Sequence, residues 1–392
     1  MRILFITPYV PSQVRIRPFA FIRELARMGY EVTLVCLVQP DQEARYIAEV
    51  KPYCKAVYPV FLNRFEPYIR SLASLPTGTP LSVAYCRSDQ LNRIVRHLNE
   101  QEDFDLIHTE FLRAAPATAH LQGRPKVFDA VDSLALAYRR SLTAAHVPPK
   151  QRALALIEWL KIRRYEPSLI GHYDHLLVSS PADQQAMGAG SDRVMVLPNG
   201  VYLDYFQYND GERDPETIMF LGKMSYYVNV ASVLWFYHRV LPLIRRHNPR
   251  VKFQIVGRDP APKIRALAQD PQVEVTGTVP DVRPYLSRAT VTVCPMVSGA
   301  GIQNKMLESM AVGTPCVSTS LAFQALCAEA GRDVLLGDTE EAFASAVLEL
   351  LNSPERRRNM SVNGRKYVES FHAWDRIGER LAGVYKSLNG WT

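Results

Sequence analysis

Short β-branched and aromatic runs alternate with amphipathic stretches along the whole chain, and the alternation starts twice. In the first half the apolar runs lie at 3–8, 31–37, 56–61, 106–109, 126–130, 176–179 and 194–197, with helical patterns at 19–28, 89–98 and 152–165. After a turn-rich stretch they resume at 218–221, 251–256, 273–276, 290–294, 315–318 and 334–336. Helical patterns there occupy 230–246, 302–311, 340–351 and 356–371. Strands apolar on nearly every residue are buried on both faces, and intervening helices make them parallel. The pattern predicts an α/β chain of two units, each with a mostly parallel sheet, and a linker at 198–210. Ligands of open α/β sheets bind at the carboxyl ends of strands where strand order reverses. Two such edges facing each other would form a cleft for two substrates.

The 392 residues give each half room for its own core. Six cysteines (Cys36, Cys54, Cys86, Cys294, Cys316, Cys327) lack paired C-x-x-C spacing, and several sit in apolar runs. They read as reduced, buried thiols of a cytoplasmic protein, not as a disulfide framework or zinc site. The apolar start is short and meets prolines, so it reads as a first strand and not a secretory signal. No uncharged run approaches the ~20 residues that cross a bilayer. The net charge is +7, and residues 1–200 carry 24 Lys/Arg against 19 Asp/Glu. That excess fits an anionic substrate, an anionic membrane surface or ordinary solubility charge. Nucleic acid is not expected, since no dense Lys/Arg block with interleaved aromatics occurs.

The segment richest in chemistry is Ser298-Gly299-Ala300-Gly301-Ile302-Gln303-Asn304-Lys305-Met306-Leu307-Glu308. It follows one strand and opens a helix whose apolar face is Ile302, Met306 and Met310. Glycines let a backbone approach a ligand closely, and a helix start offers unpaired N–H groups to an anion. Lys305, one turn in, can reach back to a phosphate, and Glu308 can accept from two ribose hydroxyls. Gly222 and Lys223 leave a strand at the same edge. A tight turn with a solvated lysine and a surface glutamate is the plain alternative.

Beyond these features the second half resembles family 4 glycosyltransferases of the GT-B fold, which pairs two Rossmann-like domains across a cleft. The stretches carrying the resemblance are Val196-Leu197-Pro198-Asn199-Gly200-Val201, Phe220-Leu221-Gly222-Lys223, Phe253-Gln254-Ile255-Val256-Gly257, Val275-Thr276-Gly277-Thr278-Val279, and Gly299 to Glu308 followed by Ser309-Met310-Ala311-Val312-Gly313-Thr314-Pro315. The Gly-Ile-Gln-Asn-Lys form is similar to sugar transferases of bacterial exopolysaccharide clusters. The resemblance implies domains at 1–198 and 199–371, the first on the acceptor side and the second binding the nucleotide-sugar donor. It also implies that 372–392 crosses back onto the first domain, although a helix of the second domain's core fits the pattern too. The expected donor site is Gly222, Lys223, Gly299, Gly301, Ile302, Gln303, Lys305 and Glu308, with Arg258 either a further donor contact or a solvated arginine. Lys223 and Lys305 would act in catalysis.

This chain departs from the family at four places, the first being its Gly-rich loop after the first strand, replaced by Pro8-Tyr9-Val10-Pro11-Ser12-Gln13-Val14-Arg15-Ile16-Arg17 with no glycine. A first glutamate near the donor sugar falls on Ala300, and a second basic residue near the diphosphate falls on Asn229. A buried diphosphate needs compensating positive charge, so Lys305 is expected to supply what Asn229 lacks. Where the family has a His-x-His pair, this chain has His108-Thr109-Glu110. His108 reads as a catalytic-site residue or as a core histidine.

The acceptor side is drawn more loosely: Arg15, Arg17, Glu110, Asp129 and Asp132 are its candidates. For Arg15 and Arg17 a domain contact or simple solvation is equally consistent, and Asp129 and Asp132 could merely cap a helix. Asp103-Phe104-Asp105 precedes a strand, away from the ligand edge, so no metal is expected, and no cofactor beyond the nucleotide-sugar substrate. The resemblance further implies a retaining transferase acting on a saccharide or lipid-linked acceptor. A nucleotide-sugar binding protein without catalysis is the alternative that Ala300 and Glu110 leave open; an epimerase or phosphorylase on the same fold has no local support. Between 51 and 100, seven Lys/Arg stand against three acidic residues, interleaved with Phe65, Tyr68, Ile69, Leu72 and Leu75. That composition suits either a face lying on anionic membrane or a solvated helix above a core.

Overall fold

The computed structural model describes residues 1–39, 44–143, 149–188, 190–298, 301–388 and 390. The chain divides into two compact units, one of Met1–Leu142, Pro149–Asn199 and Trp374–Thr392, the other of Thr143–Pro148 and Gly200–Ala373.

The first unit is a seven-stranded sheet of β1 (Arg2–Thr7), β2 (Glu31–Val38), β3 (Ala56–Phe61), β4 (Leu106–Glu110), β5 (Lys126–Val131), β6 (His175–Val178) and β7 (Val194–Val196). Its order is β3-β2-β1-β4-β5-β6-β7, and every neighbouring pair is parallel. Strand order reverses between β1 and β4, so the loops leaving Thr7 and Glu110 flank the switch point. Ile3, Leu4, Phe5, Ile6, Leu106 and Ile107 are all fully buried. Helices on both faces leave these strands no solvent side, which is why they read as continuous apolar runs.

The helix Trp374–Leu388 closes this unit by packing along Ile16–Arg27. Trp374 meets Phe21 edge-on at 5.8 Å between ring centroids, and Ile377, Leu381 and Tyr385 are fully buried. The two helices lie close because residue 378 is glycine: a Cβ there would stand 2.6 Å from Glu24 Cβ.

The second unit repeats the plan with β8 (Thr217–Leu221), β9 (Lys252–Val256), β10 (Val273–Gly277), β11 (Val291–Cys294), β12 (Cys316–Ser318) and β13 (Leu335–Leu336). The order is β10-β9-β8-β11-β12-β13, again parallel throughout, with the reversal between β8 and β11. Phe236 packs between Phe253 and Phe343 at centroid distances of 4.8 and 5.9 Å. The helix expected at 302–311 starts at Asn304 and runs to Val312. Ile302 precedes it as a core residue, and Gly301 takes a positive φ of 73°. All six cysteines are free thiols; Cys36, Cys86, Cys294 and Cys316 are buried, Cys54 is half-buried, and Cys327 is exposed, against the buried expectation.

Gly257, just past β9, has φ +145°, and a Cβ there would stand 1.8 Å from the Gly222 carbonyl oxygen. No side chain fits, and the backbone conformation itself disfavours an L residue. Gly257→Ala should lower unfolding free energy by about 3 kcal/mol or more, read from urea melts. A loss below ~1 kcal/mol would show that the Gly222 backbone moves aside freely.

Candidate functional site

At the reversal between β8 and β11, Gly222 and Lys223 leave the end of β8. The Lys305 ammonium lies one turn into the helix Asn304–Val312 and donates to Asn229 Oδ1 at 2.8 Å. It also stands 4.3 Å from the centroid of the Phe220 ring and 3.9 Å from Met296 Sδ. Asn229 in turn donates through Nδ2 to the Lys223 carbonyl at 3.0 Å. One buried amide thus ties the strand end to the helix and fixes where the ammonium sits. Crowding by Phe220, Met296 and the strand ends depresses the Lys305 pKa by desolvation, with Cys294 and Glu308 opposing. A Cβ on Gly222 would stand 2.8 Å from Asn229 Nδ2 and 3.4 Å from Lys305 Nζ, so this glycine leaves the ammonium's surroundings open.

The helix start has no side-chain cap: Gln303 occupies the cap position without bonding back to the first turn. The Met306 N–H donates to the Gln303 carbonyl at 2.9 Å, and the helix dipole adds partial positive charge at this end. Glu308, half-buried one turn after Asn304, accepts no hydrogen bond from any described residue. Its carboxyl is pushed up to about 7 by lost hydration, with Lys305 pulling the other way. Lys223 and Arg258 are both half-exposed and converge on Asp259, at 3.9 Å and 4.0 Å. Asp259 holds a positive φ of 56°, an uncommon conformation that aspartate tolerates better than most residues. Gly299 and Ala300 lie outside the described residues.

At the reversal in the first unit, Glu110 is fully buried at the end of β4. Tyr9 donates to its Oε1 at 2.7 Å, while Oε2 has no partner among the described residues. Burial holds this carboxyl well above the ordinary range, and Asp129 adds to the effect. The residue after it, Phe111, has φ +67°, and so does Val131 at the end of β5. Strained backbone at both strand ends turns the chain sharply at the ligand edge.

Three acceptor-side candidates are committed elsewhere. Arg17 binds Asp129 through two hydrogen bonds of 2.7 and 2.9 Å, and its remaining N–H groups go to the carbonyls of Leu197 and Pro198 and to Asn199 Oδ1. Both partners are buried, so Arg17 and Asp129 stitch β5 to the segment after β7 and offer no free charge to a ligand. Asp132 accepts from Ser179 Oγ at 2.6 Å, and burial raises its carboxyl to about 6. Arg15 is exposed. His108 resolves toward the core reading. It is fully buried, stacked on Phe5 at 4.1 Å and bonded through Nδ1 to Tyr385 at 2.7 Å. Burial lowers its pKa to about 4, keeping it neutral.

Sequence reasoning counted Asn229 as a missing charge and passed over Asp259. A polar residue in the apolar helix Tyr227–Trp235 was the available signal for the first. Among the described residues no group of three or more His, Cys, Asp or Glu side chains could hold a metal ion. None of their helices is long and apolar enough to cross a membrane.

Residues 17–200 match the family model described as "Glycosyl transferase 4-like domain", and residues 215–353 the model described as "Glycosyl transferases group 1". A phosphatidyl-myo-inositol mannosyltransferase of Mycobacterium leprae is 28% identical over 239 residues, 58% of this chain and 62% of that protein. An uncharacterised 44.6 kDa protein in the cps region of Klebsiella pneumoniae is 18% identical over 356 residues, 88% of each chain. Among solved structures, sucrose-phosphate synthase of Thermosynechococcus elongatus superposes with a TM-score of 0.74 at 16% identity, over the whole of both chains. HepE of Anabaena in complex with UDP-glucose gives a TM-score of 0.65 at 14% identity, over 99% of this chain and 100% of that one. At such identities the superpositions establish the fold.

The raised Glu308 carboxyl makes stability depend on pH. The folded state holds this proton more tightly than the unfolded chain, so the stability it lends falls as pH climbs from about 4.5 through about 7. Glu308→Gln lacks that loss. Relative to wild type, the variant should therefore gain stability between pH 5 and pH 8 in urea melts. A constant difference across that interval would mean the carboxyl titrates as an ordinary surface acid.

Proposed function

This chain carries a glycosyl transferase 4-like domain followed by a group 1 glycosyl transferase domain, and from that premise we propose that it transfers a hexosyl unit from a nucleoside-diphosphate sugar to a saccharide or lipid-linked acceptor, with retention. One observation carries the reading: the Lys305 ammonium is held by Asn229 beside Gly222, at the reversal between β8 and β11 and next to an uncapped helix start. A diphosphate bound there meets the ammonium, the N–H groups of the helix start and the half-exposed Lys223. Glu308 then accepts from the ribose hydroxyls.

In the transfer step the acceptor hydroxyl oxygen bonds to the anomeric carbon on the face from which the diphosphate leaves. The bond between that carbon and the phosphate oxygen breaks, and its electron pair stays on the diphosphate. A phosphate oxygen takes the hydroxyl proton. Lys305, Lys223 and the helix start stabilise the charge that develops on the leaving group. The cps-region relative supports a place in polysaccharide or glycoconjugate synthesis. Side-chain cations do the work a metal would do, and no cofactor enters. A second reading, donor binding without transfer, draws on Ala300 and Glu110 standing where the family has a glutamate and a histidine. Release of nucleoside diphosphate that depends on an acceptor extract separates the two.

Lys305→Ala should weaken nucleoside diphosphate binding about 10- to 150-fold, the range for one lost charge-assisted contact, while leaving the melting transition cooperative. Titration calorimetry across UDP, GDP and ADP also identifies the base. Affinity equal to wild type for all three would remove Lys305 from the donor site. Transfer should likewise persist in excess EDTA, and loss restored by added magnesium or manganese would contradict the metal-free reading.

A further inference from the structure

The helix Glu66–Ala73, on the chain leaving β3, is turned inside out. Phe65, Tyr68, Ile69 and Leu72 recur at one-turn spacing and are 71%, 60%, 64% and 66% exposed; Leu75 follows at 45%. The opposite face anchors it: Pro67 is buried, Ser71 donates to the Leu81 carbonyl at 3.1 Å, and Arg70 binds the Arg87 carbonyl and Glu66. A surface helix normally buries its apolar stripe, and a contiguous exposed stripe marks a contact surface.

Charge says what contacts it. The Lys161 ammonium in the helix Pro149–Ser168 donates to the carbonyls of Ser74, Leu75, Thr77 and Thr79, so both helices share one surface. Leu154, Ile157 and Leu160 are 52%, 37% and 42% exposed on the second helix. Its acids turn inward: Glu158 accepts from the N–H groups of Leu81 and Ser82, and Glu166 from Ser133 and Leu134. Lys150, Arg163 and Arg164 face solvent, as do Arg64 and Arg87 beside the first helix. Apolar side chains ringed by cations, with the acids of the second helix withdrawn and the exposed Glu66 paired to Arg70, suit the interface of an anionic bilayer.

The same face leads to the switch point of the first unit. Tyr68 meets Tyr85 edge-on at 5.4 Å, and Arg113 lies close enough to act on Tyr85 and on Tyr9. Arg113 stacks on Phe111 at 5.0 Å and Arg15 on Tyr9 at 4.7 Å, with the two rings 6.4 Å apart. Neither guanidinium has an ion-pair partner among the described residues, and Arg113 Nε is buried without a hydrogen bond. Glu110 Oε2, also buried and unpartnered, lies at the same reversal.

We propose that the acceptor is a phosphate-bearing lipid taken directly from a bilayer. The stripe from Phe65 to Leu75 seats in the anionic interface, and Arg15 and Arg113 hold the lipid phosphate. This rests on the transferase reading above and deepens it.

Sedimentation with vesicles of phosphatidylcholine alone, or with added phosphatidylglycerol, tests the docking. Wild type should pellet with the anionic vesicles and return to the supernatant as salt rises. Ile69→Glu should lower that binding about tenfold, because a charge then sits where an apolar side chain enters the interface. Both proteins should keep the same thermal shift with UDP, GDP or ADP. Loss of that shift in wild type would instead undo the transferase reading. Soluble dihexanoylphosphatidylglycerol should raise the melting temperature of wild type and not of Arg113→Gln. Wild type left in the supernatant with anionic vesicles at low salt would overturn the proposal. So would equal binding to neutral vesicles, an equal shift with glycerol 3-phosphate alone, or a dimer in light scattering that Ile69→Glu dissolves.

Discussion

An ammonium drawn partly out of water has to be held, and the way Lys305 is held organises the reversal between β8 and β11. Its partners are an amide oxygen, the face of a phenyl ring and a thioether sulfur, none of them an anion. Had a carboxylate been the partner, the ion pair would have satisfied the lysine and left no net charge for a ligand. An amide fixes position without cancelling charge. The Gly222–Gly257 contact then brings the ends of β8 and β9 together, so that the backbone carrying Lys223 stays in place above the amide that anchors it.

The first unit distributes charge by a different rule. Arg17 and Asp129 neutralise each other in the core and spend their remaining hydrogen bonds on backbone and on Asn199, which makes them part of the sheet's closure. Burial disfavours charge on both Glu110 and His108, raising the acid's pKa and lowering the imidazole's. What remains at the reversal between β1 and β4 is a pair of guanidiniums stacked on aromatic rings. Arg17 and Asp129 are paired to each other and charge on Glu110 is disfavoured, so among the described residues no ion pair takes up these two guanidiniums.

Strand positions were legible because parallel strands buried on both faces announce themselves as apolar runs, and the runs at 31–37 and 56–61 fall on β2 and β3 within a residue. The helix after β11 was legible for a similar reason, its spacing being local to one turn, although it starts at Asn304 and not at Ile302. What escaped the sequence depends on partners far apart in the chain. Asn229 meets Lys305 across 76 positions, Arg17 meets Asp129 across 112, and Tyr385 meets His108 across 277. Strand order and a returning helix decide these contacts, so residue type alone leaves both Arg17 and His108 open between alternatives. Periodicity has its own blind spot. The stripe at 65, 68, 69 and 72 declares one apolar face on the helix Glu66–Ala73 but not the direction in which it points. Only the anchoring of Arg70 and Ser71 beneath it settles that the face is outward.

The net charge of +7 acquires meaning through the same geometry. Along the helix Pro149–Ser168 five bases already stand against two acids. Burial sharpens that excess at the surface, because Glu158 and Glu166 cap backbone N–H groups of neighbouring segments while Arg163 and Arg164 remain in solvent. A carboxylate accepts several backbone hydrogen bonds at once, so it can be drawn under the surface at modest cost, whereas a guanidinium there would need carbonyls arranged around it. On this helix Glu158 and Glu166 hold neighbouring segments from inside and Lys161 ties down the 74–79 segment, while Lys150, Arg163 and Arg164 face outward, available to an anionic surface.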